Sequence, residues 1–385
     1  CIRDRHRITI ELRRKTKTEE SVMQTTGELL ERYVVPNYGR FRLVPERAEG
    51  VRLWDADGNM FLDFGCGIAV CSLGHCHPAI TGAVHDQVEK LIHCSNLYQV
   101  RNQALVAEML VEKVVGRAGK CFFCNSGAEA NETLIKLARK FGKAVPAPGG
   151  APRNEILTFS NSFHGRTMAG ISATAQEKVK VGFEPLVPGF RHLPFNDAAA
   201  LRDGIRPSTA AILLEPVQGE GGINVASPQF LAAAAEVCKR HQLLLLFDEI
   251  QSGLGRTGDL CSWRTAASGS PVEPDAVSWA KGLGGGIPVG SVWISDRDVP
   301  GADTPLCDLL GPGSHGTTFG GGPLVSAAVL AVLEEITGFD LPSNAREQGE
   351  YIVGEAKGWG SPLLRDVRGL GLMLGFVLDS DAVEA

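Results

Sequence analysis

Beyond Gly65, short apolar runs of strand length take turns with longer segments of helical periodicity, and this alternation constrains the fold more than any other feature of the chain. The runs at 155–159, 210–214, 243–247, 276–279 and 290–294 suit strands buried on both faces, while 103–115, 128–141, 228–241 and 324–336 read as helices. Such alternation predicts an α/β fold with a largely parallel sheet, whose ligands gather at the carboxyl ends of the strands. Glycine- and proline-rich stretches at 146–152, 282–288 and 311–322 read as loops.

A chain of 385 residues, 44% hydrophobic and 21% charged, has enough apolar material for one large domain plus a small one. Its formal net charge of -6 gives no reason to expect a nucleic-acid or membrane partner, and does not exclude a small, soluble, anionic metabolite. No apolar run approaches the roughly 18 residues of a membrane span, and a cytoplasmic location is expected. The ten cysteines lack a small-scaffold spacing, so reduced thiols are expected. His75-Cys76-His77 and the Cys121/Cys124 pair have the short spacing of zinc ligands, but a buried strand explains Cys121 and Cys124, and no metal is expected.

Residues 1–22, with Cys1 at the start and a crowd of arginines, read as extraneous to the fold, and Met23 is the preferred natural start. Residues 23–65 are expected to form an N-terminal arm and part of the small domain, with a helix-like patch near Leu29 to Val35. A hairpin is expected within 51–64, turning at Asp57-Gly58-Asn59. The large domain is expected over 66–320 and the rest of the small domain over 321–385.

Three segments carry chemistry. Leu243 to Phe247 runs straight into Asp248 and Glu249, which places a carboxylate at a strand end; no Gly-x-x-x-x-Gly-Lys-Ser/Thr stretch exists to make it part of an ATPase. Asp275 to Ala280 delivers Lys281 in the same way, ahead of a glycine run that leaves room for a bulky planar ligand; a surface lysine before a flexible loop is the alternative reading of this segment alone. Desolvation there lowers a lysine's pKa and frees the neutral amine to attack an aldehyde. In the third segment, Phe122 to Cys124 turns through Asn125-Ser126-Gly127 into a strong helical run, whose unpaired amides can bind phosphate; ordinary capping explains Asn125 and Ser126 equally well.

Together these segments resemble the class III aminotransferases of the fold-type I pyridoxal-phosphate enzymes, and among them the acetylornithine aminotransferases. The resemblance runs from about Val34 to Leu378 through ordered blocks that include Asn125-Ser-Gly-Ala-Glu-Ala-Asn131, Ser162-Phe-His-Gly-Arg-Thr167, Glu215-Pro-Val-Gln-Gly-Glu-Gly-Gly222, Phe247-Asp-Glu-Ile-Gln251, Ala280-Lys-Gly282 and His315-Gly-Thr-Thr318. It implies a large domain with a mostly parallel seven-stranded sheet, a smaller α+β domain, and pyridoxal 5'-phosphate as cofactor.

By the resemblance, Lys281 is the lysine that bonds the cofactor and moves the proton, and Asp248 pairs with the ring nitrogen. Gln251 reaches the phenolic oxygen, Phe163 stacks on the ring with His164 beside it, and Ser126, Gly127 and Ala128 bind the phosphate. Thr318 completes that phosphate site from a second subunit, which implies a homodimer with shared sites. Arg166 clamps the donor's α-carboxylate, Tyr38 and Thr317 line the substrate pocket, and Glu220 and Arg368 form a pair that opens to admit glutamate.

The implied reaction moves the terminal amino group of N2-acetyl-L-ornithine to 2-oxoglutarate, within arginine biosynthesis. Succinylornithine, succinyldiaminopimelate, ornithine and 4-aminobutyrate are the alternative donors, and a non-catalytic cofactor-binding module is the alternative of a different kind. Gly322 stands where these enzymes carry asparagine, and the chain ends sooner than they do, from which a truncated small domain is expected.

Overall fold

The computed structural model describes residues 25–379, so the expected leader and Met23 lie outside the described residues. Two compact units are present: one takes in the described residues up to Ala48 together with Leu53–Phe61, the other Glu49–Arg52 and the chain from Leu62 onward. In the first unit, helix Thr26–Tyr33 opens with a capping box: Thr25 Oγ1 accepts from the Glu28 amide, and the Glu28 carboxylate accepts from the Thr25 amide.

Strands β1 (Pro45–Glu49), β2 (Arg52–Asp55) and β3 (Met60–Leu62) form a three-stranded sheet in that order. The expected hairpin is the β2–β3 pair. Gly58 takes φ 84°, and the Asp55 carboxylate accepts from the amides of Asp57 at 3.0 Å and Asn59 at 2.8 Å, which ties the turn.

The second unit is built on seven strands: β4 (Gly119–Cys124), β5 (Glu155–Phe159), β6 (Phe190–Leu193), β7 (Thr209–Leu214), and then, after the short β8 (Val217–Gln218) and β9 (Asn224–Val225) ribbon, β10 (Leu244–Asp248), β11 (Ala276–Trp279) and β12 (Gly290–Ser295). They lie in the order β4-β12-β11-β10-β7-β5-β6. β12 pairs antiparallel with both neighbours, while the other pairings across β11, β10, β7, β5 and β6 are parallel. The hairpin of β13 (Leu364–Leu370) and β14 (Met373–Leu378) follows near the end of the described chain.

Burial on both faces explains why the strands read as unbroken apolar runs. Along β10, Leu245 and Phe247 face one core, shared with helices Pro228–His241 and Pro323–Gly338, while Leu244 and Leu246 face another, shared with helix Gly127–Ala144. Strand β6, Phe-Arg-His-Leu, had no apolar run to betray it, and helix Pro78–Val88 escaped for want of a long apolar stripe. The segment expected as one helix over 103–115 is an α-helix, Arg101–Met109, that continues as a π-helical stretch, Leu110–Val115. Cys121 and Cys124 lie on β4, as the strand reading required, and the nine described cysteines are all free.

Candidate active site

A cavity of about 440 Å³ opens where the carboxyl ends of β10 and β11 meet the start of helix Gly127–Ala144. Ser126, Gly127, Ala128, Phe163, His164, Arg166, Asp248, Gln251 and Lys281 all line it, so the structure gathers residues scattered over more than 150 positions of sequence into one wall. Ligand space at this end of a mostly parallel sheet is where such folds place chemistry.

Lys281 leaves the end of β11 in a left-handed conformation, φ 38°, which a non-glycine residue adopts only when its surroundings impose it. Its Nζ donates to Gln251 Oε1 at 2.7 Å. Burial depresses the ammonium's pKa below its ordinary value, opposed by the negative charges of Glu220, Asp248 and Glu215. Gln251 is close-packed in turn: a Cβ on Gly219 would meet its amide and push it aside.

Asp248, at the end of β10, is 5% exposed and bonded at both carboxylate oxygens. Its Oδ2 accepts from Asn131 Nδ2 at 2.7 Å and meets His164 Nδ1 at 2.8 Å, while Oδ1 accepts from the Ile250 amide at 3.1 Å. Burial works against the charged form of His164, yet the hydrogen bond and charge of Asp248, with help from Glu215, raise its pKa above the usual histidine value. The other imidazole nitrogen, Nε2, is buried without a hydrogen-bond partner. Glu215 lies close by, and burial pushes its carboxyl up to about 7 although it accepts from the amides of Phe163 at 3.1 Å and Gly219 at 3.2 Å.

Asn131 is the residue that sequence reasoning missed. It is 1% exposed, and besides Asp248 it donates to the His164 carbonyl at 3.0 Å and accepts from Ser278 Oγ at 2.8 Å. A signal existed: Asn131 falls on the apolar stripe with Leu134, Ile135 and Ala138, where a polar side chain must find partners.

At the helix start, Ser126 Oγ accepts from the Glu129 amide at 3.2 Å, and the Glu129 carboxylate accepts from the Asn125 amide at 2.6 Å. First-turn amides have no intrahelical acceptor, so those of Gly127 and Ala128 are available to an anion in the cavity. A Cβ on Gly127 would sit 2.9 Å from two carbons of Ile250, which keeps that position small.

The remaining expected site residues sit differently. Arg166 is exposed at the cavity wall, its guanidinium 5.5 Å from the Phe163 ring centroid. Thr317 Oγ1 accepts from Asn125 Nδ2 at 3.1 Å, while Thr318 next to it is exposed and absent from the lining of this chain's own cavity. Tyr38 belongs to the first unit and is 69% exposed.

Glu220 and Arg368, expected as a pair that opens, form no ion pair with each other among the described residues; the Arg368 guanidinium lies against Gly222, 2.9 Å from where a Cβ would stand. Both side chains are exposed.

The donor set fits pyridoxal phosphate. A desolvated amine suits its aldehyde, helix amides suit its phosphate, a buried carboxylate suits a ring N–H, and the Phe163 side chain offers a flat face to an aromatic ring.

The comparisons agree. The aminotransferase class-III family pattern matches residues 33–385, and the chain belongs to that family. Acetylornithine aminotransferases are among its relatives: that of Gloeobacter violaceus is 44% identical, covering 92% of this chain and 85% of its own, and that of Methanopyrus kandleri is 43% identical with the same coverage. Among solved structures, the acetylornithine aminotransferase of Elizabethkingia anophelis superposes with a TM-score of 0.77 at 31% identity, covering 92% of this chain and 83% of that one. The ornithine aminotransferase of Toxoplasma gondii ME49 superposes with a TM-score of 0.83 at 32% identity, covering 92% and 81%.

Proposed function

We propose that this chain is a pyridoxal-phosphate-dependent aminotransferase that moves the terminal amino group of N2-acetyl-L-ornithine to 2-oxoglutarate, giving N-acetyl-L-glutamate 5-semialdehyde and L-glutamate. The observation that carries the chemistry is the placement of Lys281 Nζ, on Gln251, in one cavity with the buried Asp248–His164 pair and a helix N-terminus. The donor is assigned from relatives at 41–44% identity that are named acetylornithine aminotransferases.

When bound, pyridoxal phosphate supplies an electron-accepting ring that spreads the charge left by a departing proton. Asp248, positioned by Asn131, His164 and the Ile250 amide, would hold a proton at the ring nitrogen. Lys281 Nζ, disfavoured as an ammonium by burial, would take the proton from the amino-bearing carbon of the donor and pass it to the carbon that had been the cofactor's aldehyde. Gln251 steadies that amine and reaches the phenolic oxygen, and Phe163 covers the ring face beside His164. The Ser126–Ala128 turn binds the phosphate.

Arg166 takes the α-carboxylate of the donor through its planar fork. Thr317 lines the substrate side, and Arg368 receives the second carboxylate of glutamate once Glu220 moves aside. Thr318, exposed beside the anchored Thr317, completes the phosphate site of a second copy, so the working unit is a homodimer. Free thiols in all described cysteines support a reducing, cytoplasmic setting. No described helix is long and apolar enough to cross a membrane.

Steady-state transamination tests this reading. With 2-oxoglutarate as acceptor, kcat/KM is expected to be highest for N-acetylornithine among that donor, succinylornithine, ornithine and 4-aminobutyrate, with the parallel double-reciprocal lines of a ping-pong reaction. A higher value for 4-aminobutyrate or ornithine would overturn the donor assignment and leave the class standing.

A further inference from the structure

We infer that His315 is a positioning residue for the cofactor-phosphate site, acting as a neutral latch that docks the Ser314–Gly320 loop onto helix Gly127–Ala144. Three contacts fix its proton. Lys136 Nζ lies 2.7 Å from His315 Nδ1, and an ammonium has only donors, so Nδ1 must accept. The ring proton then sits on Nε2, which faces Thr133 Oγ1 at 2.9 Å; that hydroxyl spends its own hydrogen on the Glu129 carbonyl at 2.9 Å, so it accepts from the imidazole. Every polar atom in the chain Lys136, His315, Thr133 and Glu129 carbonyl is matched with a single choice of tautomer.

The latch bears on the phosphate site because both ends of the contact lead there. The same loop passes to Thr317, which accepts from Asn125 Nδ2, and is held at its far end by Asn96 Nδ2 on the Gly320 carbonyl at 2.9 Å. Between these anchors stand the exposed Gly316 and Thr318. The helix that receives the imidazole begins at Gly127, whose first amides line the cavity. His315 also packs against Phe122 at the end of β4, ring centroids 4.6 Å apart. Loss of the latch frees the loop that presents Thr318 and one wall that sets the helix start.

The arrangement works only while the imidazole is neutral. Protonation at Nδ1 would set a second donor against Lys136, and burial together with the Lys136 charge keeps the pKa of His315 below its ordinary value, against the opposing pull of Glu132 and Glu129. These three, all on the helix, are the charged groups that act on the ring.

The inference rests on the proposed cofactor, and its test separates the two. Cofactor affinity of the full chain is measured by equilibrium titration, and the tautomer and titration of His315 by NMR of imidazole-labelled protein assigned with His315→Gln. Wild type is expected to bind pyridoxal phosphate and to show the Nε2–H tautomer, with a pKa that rises in Lys136→Met. His315→Phe keeps the ring stack but loses both hydrogen bonds, and about tenfold or more in cofactor affinity is expected to go with them. His315→Gln, which still offers an amide donor to Thr133, is expected to recover most of that loss, and Thr133→Val to reproduce it. If wild type binds the cofactor and His315→Phe and Thr133→Val bind it equally well, the latch is wrong and the function stands. If wild type binds none, the function itself fails. An Nδ1–H tautomer, or a pKa unmoved by Lys136→Met, also overturns the latch.

Discussion

Asn131→Ala tests the polar support behind Asp248. In one step it removes a donor to the carboxylate at 2.7 Å, a donor to the His164 carbonyl at 3.0 Å and an acceptor for Ser278 Oγ at 2.8 Å, all at a residue 1% exposed. Each buried group left without a partner costs about 1–3 kcal/mol, and Asp248 retains His164 and the Ile250 amide, so the expected loss is about 3–5 kcal/mol. Ser278→Ala breaks only one of these bonds, leaving Asn131 Oδ1 unmatched at a cost of about 1–2 kcal/mol. In the double variant the serine hydroxyl is no longer orphaned, so the combined loss should fall short of the sum by about 1–2 kcal/mol. Urea unfolding of the cofactor-free protein at fixed protomer concentration measures all three values. A loss for Asn131→Ala below about 1 kcal/mol, or strict additivity with Ser278→Ala, would falsify the view that Asn131 is the hub holding Asp248.

The site makes four further predictions. Glu249, 1% exposed, accepts from Ser262 Oγ, the Trp263 amide and Trp279 Nε1, yet burial pushes its carboxyl up to about 7. A raised folded pKa means that the protonated form is the favoured one: full stability holds below the unfolded value near 4.5 and is lost as pH rises through about 7. Relative to wild type, Glu249→Gln should therefore gain up to about 3 kcal/mol between about pH 5 and about pH 8, and a flat difference across that range contradicts the assignment. Arg166→Ala should raise the KM for the amino donor far more than it lowers kcat, and lysine should restore little because it lacks the planar fork; equal KM values would remove Arg166 from the substrate site. Gly127→Ala drives a methyl to within 2.9 Å of Ile250 and should weaken cofactor binding, with Ile250→Ala in the same chain restoring it. Mixing inactive Lys281→Ala and Thr318→Ala proteins should regain activity through subunit exchange, since one site of each mixed dimer is intact; no recovery counts against the shared site.

Most of the seven-stranded sheet was readable from sequence because its strands are buried on both faces. A strand such as Leu244–Asp248 must be apolar at every position until the chain reaches ligand space, so the appearance of Asp248 marks both an edge of the core and a functional end. The same logic found Lys281 after Ala276–Trp279. Strand Phe190–Leu193 lies at the edge of the sheet and carries Arg191 and His192, so no uninterrupted apolar run announced it. Lys281, Asp248, Gln251, Phe163, His164, Arg166 and the Ser126–Ala128 turn line one cavity. What pattern and motif missed was the supporting network: Asn131, Ser278 and the raised carboxyl of Glu215 act through three-dimensional matching of donors to acceptors, which has no period along the chain. Glu220 and Arg368, expected from resemblance as a pair that opens, stand as two exposed side chains without an ion pair to each other among the described residues.

Reduction with borohydride followed by peptide mass mapping tests the central claim most directly, because it fixes the cofactor to whichever amine holds it. The protein loaded with pyridoxal phosphate should yield one labelled peptide, carrying the cofactor at Lys281. Prior addition of N-acetylornithine without acceptor should erase that label, since the amino donor displaces the lysine. A label on another lysine, or one that persists unchanged in excess N-acetylornithine, would contradict the assignment of Lys281 and of the donor respectively.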